Sequence, residues 1–312
     1  MRQALIVAGP TCSGKSALAL ALAQRLGGTV INADSMQVYR ELRVLTARPT
    51  PEDEAAVPHR LYGVRPAAEP GSVGWWREAA LAEMAAARVP ILCGGTGLYL
   101  QSLTQGLADI PDPGAEAREE ARALLEAEGP ARLHQRLDAV DPGTAAGLRP
   151  SDSQRLARAW EVWRGTGQGL AAWQALPGTP APYVFRAILL DPPRSGLRPA
   201  IALRFAAMLR EGAVEEVRAL LGLGLDPSLP AMRAHGVPEL AAYLWGELCL
   251  EEAMARAVQA TGRYVKRQAT WFRHRRIADP SGTHTINARV DGWTQLSERQ
   301  RAEILAFVSG AG

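Results

Sequence analysis

The chain of 312 residues is short of lysine, of cysteine and of long apolar runs, and each shortage narrows what it can be. Lysine stands only at Lys15 and Lys266, so nearly all the basic charge is arginine, whose abundance alone marks no binding surface. The three cysteines, Cys12, Cys93 and Cys249, lie far apart with no C-x-x-C pair. That spacing argues against a zinc site or a disulfide framework. No apolar run is long enough to span a membrane, and the apolar start is too short for a signal peptide, so a cytoplasmic protein is expected. Net charge is only +3, so a nucleic-acid partner would have to meet local patches. With 47% hydrophobic residues the chain can bury a full core, as one α/β domain with an insertion or as two modest domains.

What is present is organised around Gly9, Pro10, Thr11, Cys12, Ser13, Gly14, Lys15 and Ser16, which fit the G-x-x-x-x-G-K-[ST] pattern of a phosphate-binding loop. Residues 4–8 before it form a short apolar run suited to a buried parallel strand, and 16–26 after it are rich in Ala and Leu, a strong helix-forming stretch. Glycine lets the backbone N–H groups turn toward an anion, and the helix start adds the positive end of its dipole. Lys15 supplies a point charge for the outer phosphate, and the Ser16 hydroxyl suits Mg²⁺.

A second strand over 29–33 ends at Asp34, Ser35, Met36 and Gln37, on the edge of a parallel sheet where ligands bind. The Asp34 carboxylate there could accept a proton or hold a metal-bound water, or it could cap a following helix. The stretches at 46–49 and 58–61 are polar and punctuated by proline, hence loops. Ser72 can cap a helix over 74–88 whose stripe of Trp76, Ala80, Met84 and Ala87 reads as core. A strand over 89–93 then turns through Gly94-Gly95-Thr96-Gly97, which either brings Thr96 to the same crevice or is a plain tight turn.

From Pro111 the pattern becomes helical, with segments over 115–127 and 130–139 and no strand until 183. Within it, 152–164 is amphipathic. Leu156, Ala159, Trp160 and Trp163 share one face, and Gln154, Arg158 and Glu161 fall opposite with Arg155 on the flank. That polar side is either solvated or a set of donors for phosphates and base edges. A strand over 183–190 ends at Asp191, which is either a Mg²⁺-water ligand or a turn residue ahead of two prolines. The remainder reads as helical, including 208–221. Residues 263–276 place Arg263, Lys266, Arg267, Thr270 and Arg273 on a broad face, either a nucleic-acid footprint or a solvated basic helix.

In order along the chain, GPTCSGKS at 9–16, DSMQVY at 34–39, PHRL at 58–61, GGTGLY at 94–99, QRLARAWEV at 154–162, TGQGLAAWQ at 166–174 and KRQATWFR at 266–273 closely resemble the tRNA dimethylallyltransferase family. The resemblance covers 5 to about 276. It implies a P-loop NTPase-like α/β core over 1–111 and 181–312 and an all-helical insertion over 112–180 that closes on a tRNA anticodon stem-loop. It further implies transfer of the dimethylallyl group of dimethylallyl diphosphate to N6 of the adenine 3′ to the anticodon, with Mg²⁺ and with no obligate protein partner. By the same resemblance Asp34 is the general base, Thr96 supports it, and Lys15 acts on the diphosphate. The diphosphate is then held by residues 9–16 and Arg204. The tRNA is met by Asp34, Ser35, Met36, Gln37, Thr96, Arg118, Gln154, Arg155, Leu156, Ala157, Arg158 and Arg233.

Three positions depart from the family pattern. Its G-T-A-K-P segment stands here as Leu45-Thr46-Ala47-Arg48-Pro49, its G-[YF]-[KR] element as Gly236-Val237-Pro238, and a usual arginine as Ala200. A C-terminal zinc finger of eukaryotic relatives is not seen, which fits a bacterial type. A P-loop small-molecule kinase and a non-catalytic RNA-binding module are the competing readings; each would leave part of this motif set without a role.

Overall fold

The computed structural model describes residues 2–310. Six parallel strands form one sheet in the order β3-β2-β4-β1-β5-β6. They are β1 (Arg2–Ala8), β2 (Thr29–Asn32), β3 (His59–Arg60), β4 (Pro90–Gly94), β5 (Tyr183–Leu190) and β6 (Thr283–Ile286). The central strands are buried on both faces, which is why they read as unbroken apolar runs. In β1, Ala4, Ile6 and Ala8 enter the core on one side of the sheet, while Leu5 and Val7 enter the core on the other. Helix α1 (Lys15–Leu26) covers the second side, packing Leu18, Ala19 and Leu22 there.

Helices α2 (Pro51–Ala56), α3 (Val73–Ala86) and α4 (Gly97–Thr104) follow the early strands. The Ser72 side chain accepts from the Trp75 N–H at 3.1 Å, the expected cap of α3. Trp76, Ala80 and Met84 are fully buried, as the sequence stripe requires. Trp76 stacks on Tyr99 at 4.3 Å and donates its indole N–H to the Asn32 carbonyl at 2.8 Å, so its polar atom is satisfied in the core.

The chain divides into two compact units, one of residues up to Thr104 and from Ala181 onward, the other Gln105–Pro180. The second is all helical: α5 (Gly114–Val140), α6 (Pro142–Ala145), α7 (Ser153–Thr166) and α8 (Leu170–Gln174). Helix α5 is broken at Gly129, whose positive φ of 75° favours glycine, ahead of Pro130, so its two halves correspond to the two segments read from sequence. Ala121, Leu133, Leu137, Leu156 and Trp160 make this unit's own core.

After β5 come α9 (Arg194–Arg210), α10 (Ala213–Leu221), α11 (Val237–Leu244), α12 (Leu250–His274) and α13 (Glu298–Ser309). Three expectations need correction here. The helix read over 208–221 is broken, because Gly212 takes a left-handed φ of 98° and starts α10. The stretch around 58–61, expected as loop, contributes β3, and the helical remainder contains β6, both short edge strands.

Candidate active site

Parallel pairing aligns the carboxyl ends of the strands, and with them the loops that carry the chemistry. Ala8 pairs with Gly94 and with Leu189, and Asn32 with Cys93. The phosphate loop after β1, the Asp34 turn after β2 and the Thr96 turn after β4 therefore leave one edge of the sheet together. Gly14 starts α1 at φ 93°, and a Cβ there would overlap the Val290 carbonyl. Val290 returns a bond by donating its N–H to the Ser13 carbonyl at 3.0 Å.

Beside this edge lies a cleft of about 770 Å³ with two kinds of wall. Thr11, Cys12, Lys15, Ser16 and Arg204 form a polar end, with Asp34 and Gln37 also facing it. Ile201, Phe205, Met208, Leu45 and Met36 supply hydrocarbon. The polar end is suited to phosphate oxygens and the apolar wall to a small hydrocarbon group. Arg204 is steered to the loop by contacts with Cys12 Sγ at 3.9 Å and the Thr46 carbonyl at 3.5 Å.

Asp34 is held by its own turn. Its Oδ1 accepts the Met36 N–H at 2.9 Å, and its N–H donates to Asn32 Oδ1 at 2.8 Å. Asn32, buried, also donates to the carbonyls of Asp34 and Leu61, both at 3.0 Å. No helix begins here, so the capping alternative fails; the Asp34 carboxylate lines the cleft, with one oxygen committed to the Met36 N–H. Thr96 Oγ1 accepts the Ser35 N–H at 2.9 Å, and its own N–H donates to the Ala33 carbonyl at 3.1 Å. The Thr96 turn thus braces the Asp34 turn.

Gln268 is a residue that the sequence reading did not single out. It is 4% exposed, on the inner face of α12. Its Oε1 accepts the Thr11 N–H at 2.9 Å and the Thr11 hydroxyl at 3.3 Å, while its Nε2 donates to the Gly95 carbonyl at 3.0 Å. One amide therefore ties the phosphate loop to the Thr96 turn. A side chain on Gly95 would collide with that amide, which explains the glycine. Its sequence signals were its place within KRQATWFR at 266–273 and a polar residue on the apolar side of a basic helix.

Two cleft residues carry shifted protons. Burial pushes the Tyr264 hydroxyl well up, the Asp34 charge adds to this, and Thr96 partly offsets it. Burial lowers the proton affinity of His235, whose ring lies tilted against that of Tyr264 at 4.9 Å, and Glu239 works the other way. Under the phosphate loop, burial pushes the Cys93 thiol up to about 11, so it stays protonated beside Lys15.

The expected site residues separate into groups. Thr11, Cys12, Lys15, Ser16, Asp34, Met36, Gln37 and Arg204 line one cleft. Gln37 donates to the carbonyls of Thr46 and Ala47, both at 2.9 Å, which fixes the 46–47 loop. Ser13 has its side chain fully buried, with no hydrogen-bond partner for its hydroxyl among the described residues, so only its backbone can meet a phosphate. Leu156 is 0% exposed in the helical core, so its side chain packs there and is not offered to a ligand. Within the 105–180 unit, Gln154 and Arg155 are exposed, Ala157 is half-buried, Arg158 pairs with Glu161 at 3.3 Å, and Arg118 pairs with Asp112. Arg233 is exposed at the end of a short 3-10 turn. Asp191 is drawn into a two-pronged pair with Arg273, both contacts 3.2 Å, so its carboxylate anchors α12. Arg48, in place of the family lysine, lies against Gly63 and donates to the Arg40 carbonyl at 3.3 Å, outside the cleft.

Hard oxygen donors are the test for Mg²⁺, and Ser16 and Asp34 both face the cleft. Among the described residues no cluster of three His, Cys, Asp or Glu side chains could hold a metal by itself. The set fits an ion held chiefly by phosphate oxygens, as Mg²⁺ commonly is.

Residues 37–275 match the model of the IPP transferase family, and 2–68 match that of an isopentenyl transferase family. A tRNA dimethylallyltransferase of Granulibacter bethesdensis is 63% identical over 312 residues, covering 98% of each chain. The crystal structure of the tRNA isopentenylpyrophosphate transferase of Bacillus halodurans superposes with a TM-score of 0.68 at 31% identity, covering 99% of this chain and 96% of that one. A eukaryotic dimethylallyltransferase acting on tRNA shares the fold, with a TM-score of 0.81 at 24% identity over 99% of this chain and 80% of that one. With most of its length inside one family model and relatives of such identity along the whole chain, this protein belongs to the IPP transferase family.

Proposed function

We propose that the chain transfers the dimethylallyl group of dimethylallyl diphosphate to N6 of the adenine 3′ to the anticodon in tRNA, releasing diphosphate. The observation that carries this reading is the single cleft in which the phosphate loop, Arg204, an apolar wall and Asp34 meet. Adenine N6 is a weak nucleophile, because its lone pair is delocalised into the ring. The allylic C1 is a good electrophile whose leaving group takes a large negative charge. The chain's task is therefore to stabilise departing diphosphate and to aim the amine.

In this reading the loop N–H groups, Lys15 and Arg204 hold the diphosphate, and the apolar wall holds the five-carbon group. N6 attacks C1, the C1–O bond breaks with its electron pair leaving on diphosphate, and the N6 proton passes to the cleft-facing Asp34 carboxylate. Ser16 would hold Mg²⁺, which supplies charge neutralisation to the leaving diphosphate. The adenine must leave its stack, at a cost of a few kcal/mol. Gln37, Gln154, Arg155, Arg158, Arg118 and Arg233 are the polar groups assigned to the tRNA. The matched family lends nothing to the kinase reading.

Incubation with Mg²⁺, unmodified tRNA and labelled dimethylallyl diphosphate, followed by nucleoside analysis, tests the proposal. Label on N6 of the adenine 3′ to the anticodon, without ATP, is expected. Folded protein that binds tRNA and transfers nothing would overturn it.

A further inference from the structure

The phosphate loop is gripped from two sides by residues remote from it in sequence. On one side Gln268 takes the Thr11 N–H. On the other lies the segment that follows β6, beyond the last family motif at 266–273. Arg289 Nε donates to the Cys12 carbonyl at 3.2 Å, and the Val290 N–H donates to the Ser13 carbonyl at 3.0 Å. Val290 is 1% exposed, in the core cluster that also holds Leu18 and Leu22 of α1. Further on, Leu296 joins that cluster, and the Arg25 guanidinium of α1 lies over the Trp293 ring at 4.2 Å. The segment is thus anchored to the helix that the loop begins. Asp291 pairs with the Arg289 guanidinium and aims it, while the Asp291 N–H donates to Gln295 Oε1 at 3.0 Å.

Backbone geometry gives these contacts a consequence. Cys12 stands at φ 66°, a left-handed conformation that a residue other than glycine keeps only where its surroundings hold it. In a planar trans peptide the carbonyl and the following N–H point in opposite directions. With the Cys12 carbonyl drawn to Arg289, the Ser13 N–H is turned back across the loop, 3.2 Å from the Pro10 carbonyl. With the Ser13 carbonyl drawn to Val290, the Gly14 N–H is turned away from the segment, and no partner takes it among the described residues. That leaves an unspent donor at the start of α1, where the helix dipole favours an anion. We propose that Arg289 is a positioning residue for the transfer reaction: by holding the Cys12 carbonyl it fixes the loop in the form that receives diphosphate. It does not line the cleft, and its side chain is 44% exposed, so neither substrate contact nor core packing accounts for it. The inference rests on the reading of the cleft as a prenyl diphosphate site.

The test is equilibrium binding of inorganic diphosphate with Mg²⁺ to the full chain, for the wild type, Arg289→Ala, Arg289→Lys and Asp291→Ala, beside thermal melts and tRNA binding. Arg289→Ala should weaken diphosphate binding by about fivefold to tenfold and raise the KM for dimethylallyl diphosphate by a similar factor. The loss should persist at high salt, where a distant exposed charge is screened. Arg289→Lys, which keeps a charged donor, should recover most of it, and tRNA affinity should be little changed throughout. Asp291→Ala separates two roles by sign. A guanidinium that positions the loop loses its aim and diphosphate binds more weakly; one that acts only as a charge loses a neighbouring carboxylate and diphosphate binds more tightly. Unchanged binding in Arg289→Ala, a loss that vanishes at high salt, or tighter binding in Asp291→Ala overturns the proposal. So does a lowered melting temperature with an unmoved KM, which would make the contact purely structural. A wild type that binds diphosphate yet transfers no prenyl group would sink the prenyl-transfer reading and leave the diphosphate comparison decisive for Arg289.

Discussion

Gln268 spends both ends of one amide on backbone atoms of two different turns, the phosphate loop at Thr11 and the Thr96 turn at Gly95. Its burial removes water as an alternative partner, so its loss leaves polar groups unmatched at both turns. Gln268→Ala is expected to lower kcat/KM for dimethylallyl diphosphate by about tenfold or more through misplacement of the loop, with tRNA affinity little changed. Steady-state kinetics beside tRNA binding check this. His235 has a pH consequence. Its proton affinity is depressed by burial in the folded state, so the unfolded chain binds the proton more readily. Stability from this group is complete above the ordinary histidine range near pH 6.5 and is lost as pH falls through it. Thermal melts of His235→Asn should therefore fall less steeply between about pH 7 and 5 than those of the wild type. At this scale the phosphate loop was legible, because each residue type there has one chemical task and strand and helix flank it. Gln268 was not legible, since its partners lie 257 and 173 positions away in sequence. A motif transfers residues as a block, and burial then takes the side chains of Ser13 and Leu156 out of reach of a ligand.

Elements hold the site through backbone atoms that sequence patterns do not show. Glu216 of α10 accepts three successive N–H groups, from Arg43 at 2.5 Å, Val44 at 2.7 Å and Leu45 at 2.9 Å. It fixes the loop that brings Leu45 and Thr46 to the cleft. Glu216→Ala should cost about 2 kcal/mol, readable by denaturant unfolding, because charged acceptors of several N–H groups are among the stronger bonds. The segment after β6 presses on the phosphate loop, with Val290 against Gly14 and the Arg289 guanidinium donating to the Cys12 carbonyl at 3.2 Å. Strands β1, β4 and β5 and helices α1, α3 and α7 were readable, since burial on two faces or on one stripe dictates their periodicity. Strand β3 is two residues long and polar, and β6 sits among helices and turns. Both pair along one side only, at the sheet's edges, so neither needs an apolar run. The break at Gly212 was hidden because Leu and Ala continue the helical pattern on both sides of it.

At the scale of the whole molecule, the chain is a parallel-sheet unit carrying the cleft and a helical unit over Gln105–Pro180 with a core of its own. Leu156→Ala should destabilise the helical unit by about 2–5 kcal/mol, since it empties a fully buried position; a melt showing no loss would contradict that placement. Among the described residues no helix is long and apolar enough to cross a membrane. The general plan was legible because phosphate loop, strand ends and helical insertion follow one another in order. The most direct measurement of the account is single-turnover transfer on saturating tRNA by the wild type and Asp34→Asn. The account predicts labelled N6 in the wild type and a rate lower by about 10²–10⁴ in Asp34→Asn, with tRNA affinity nearly intact. A variant that transfers at the wild-type rate, or that loses tRNA instead of turnover, would contradict it.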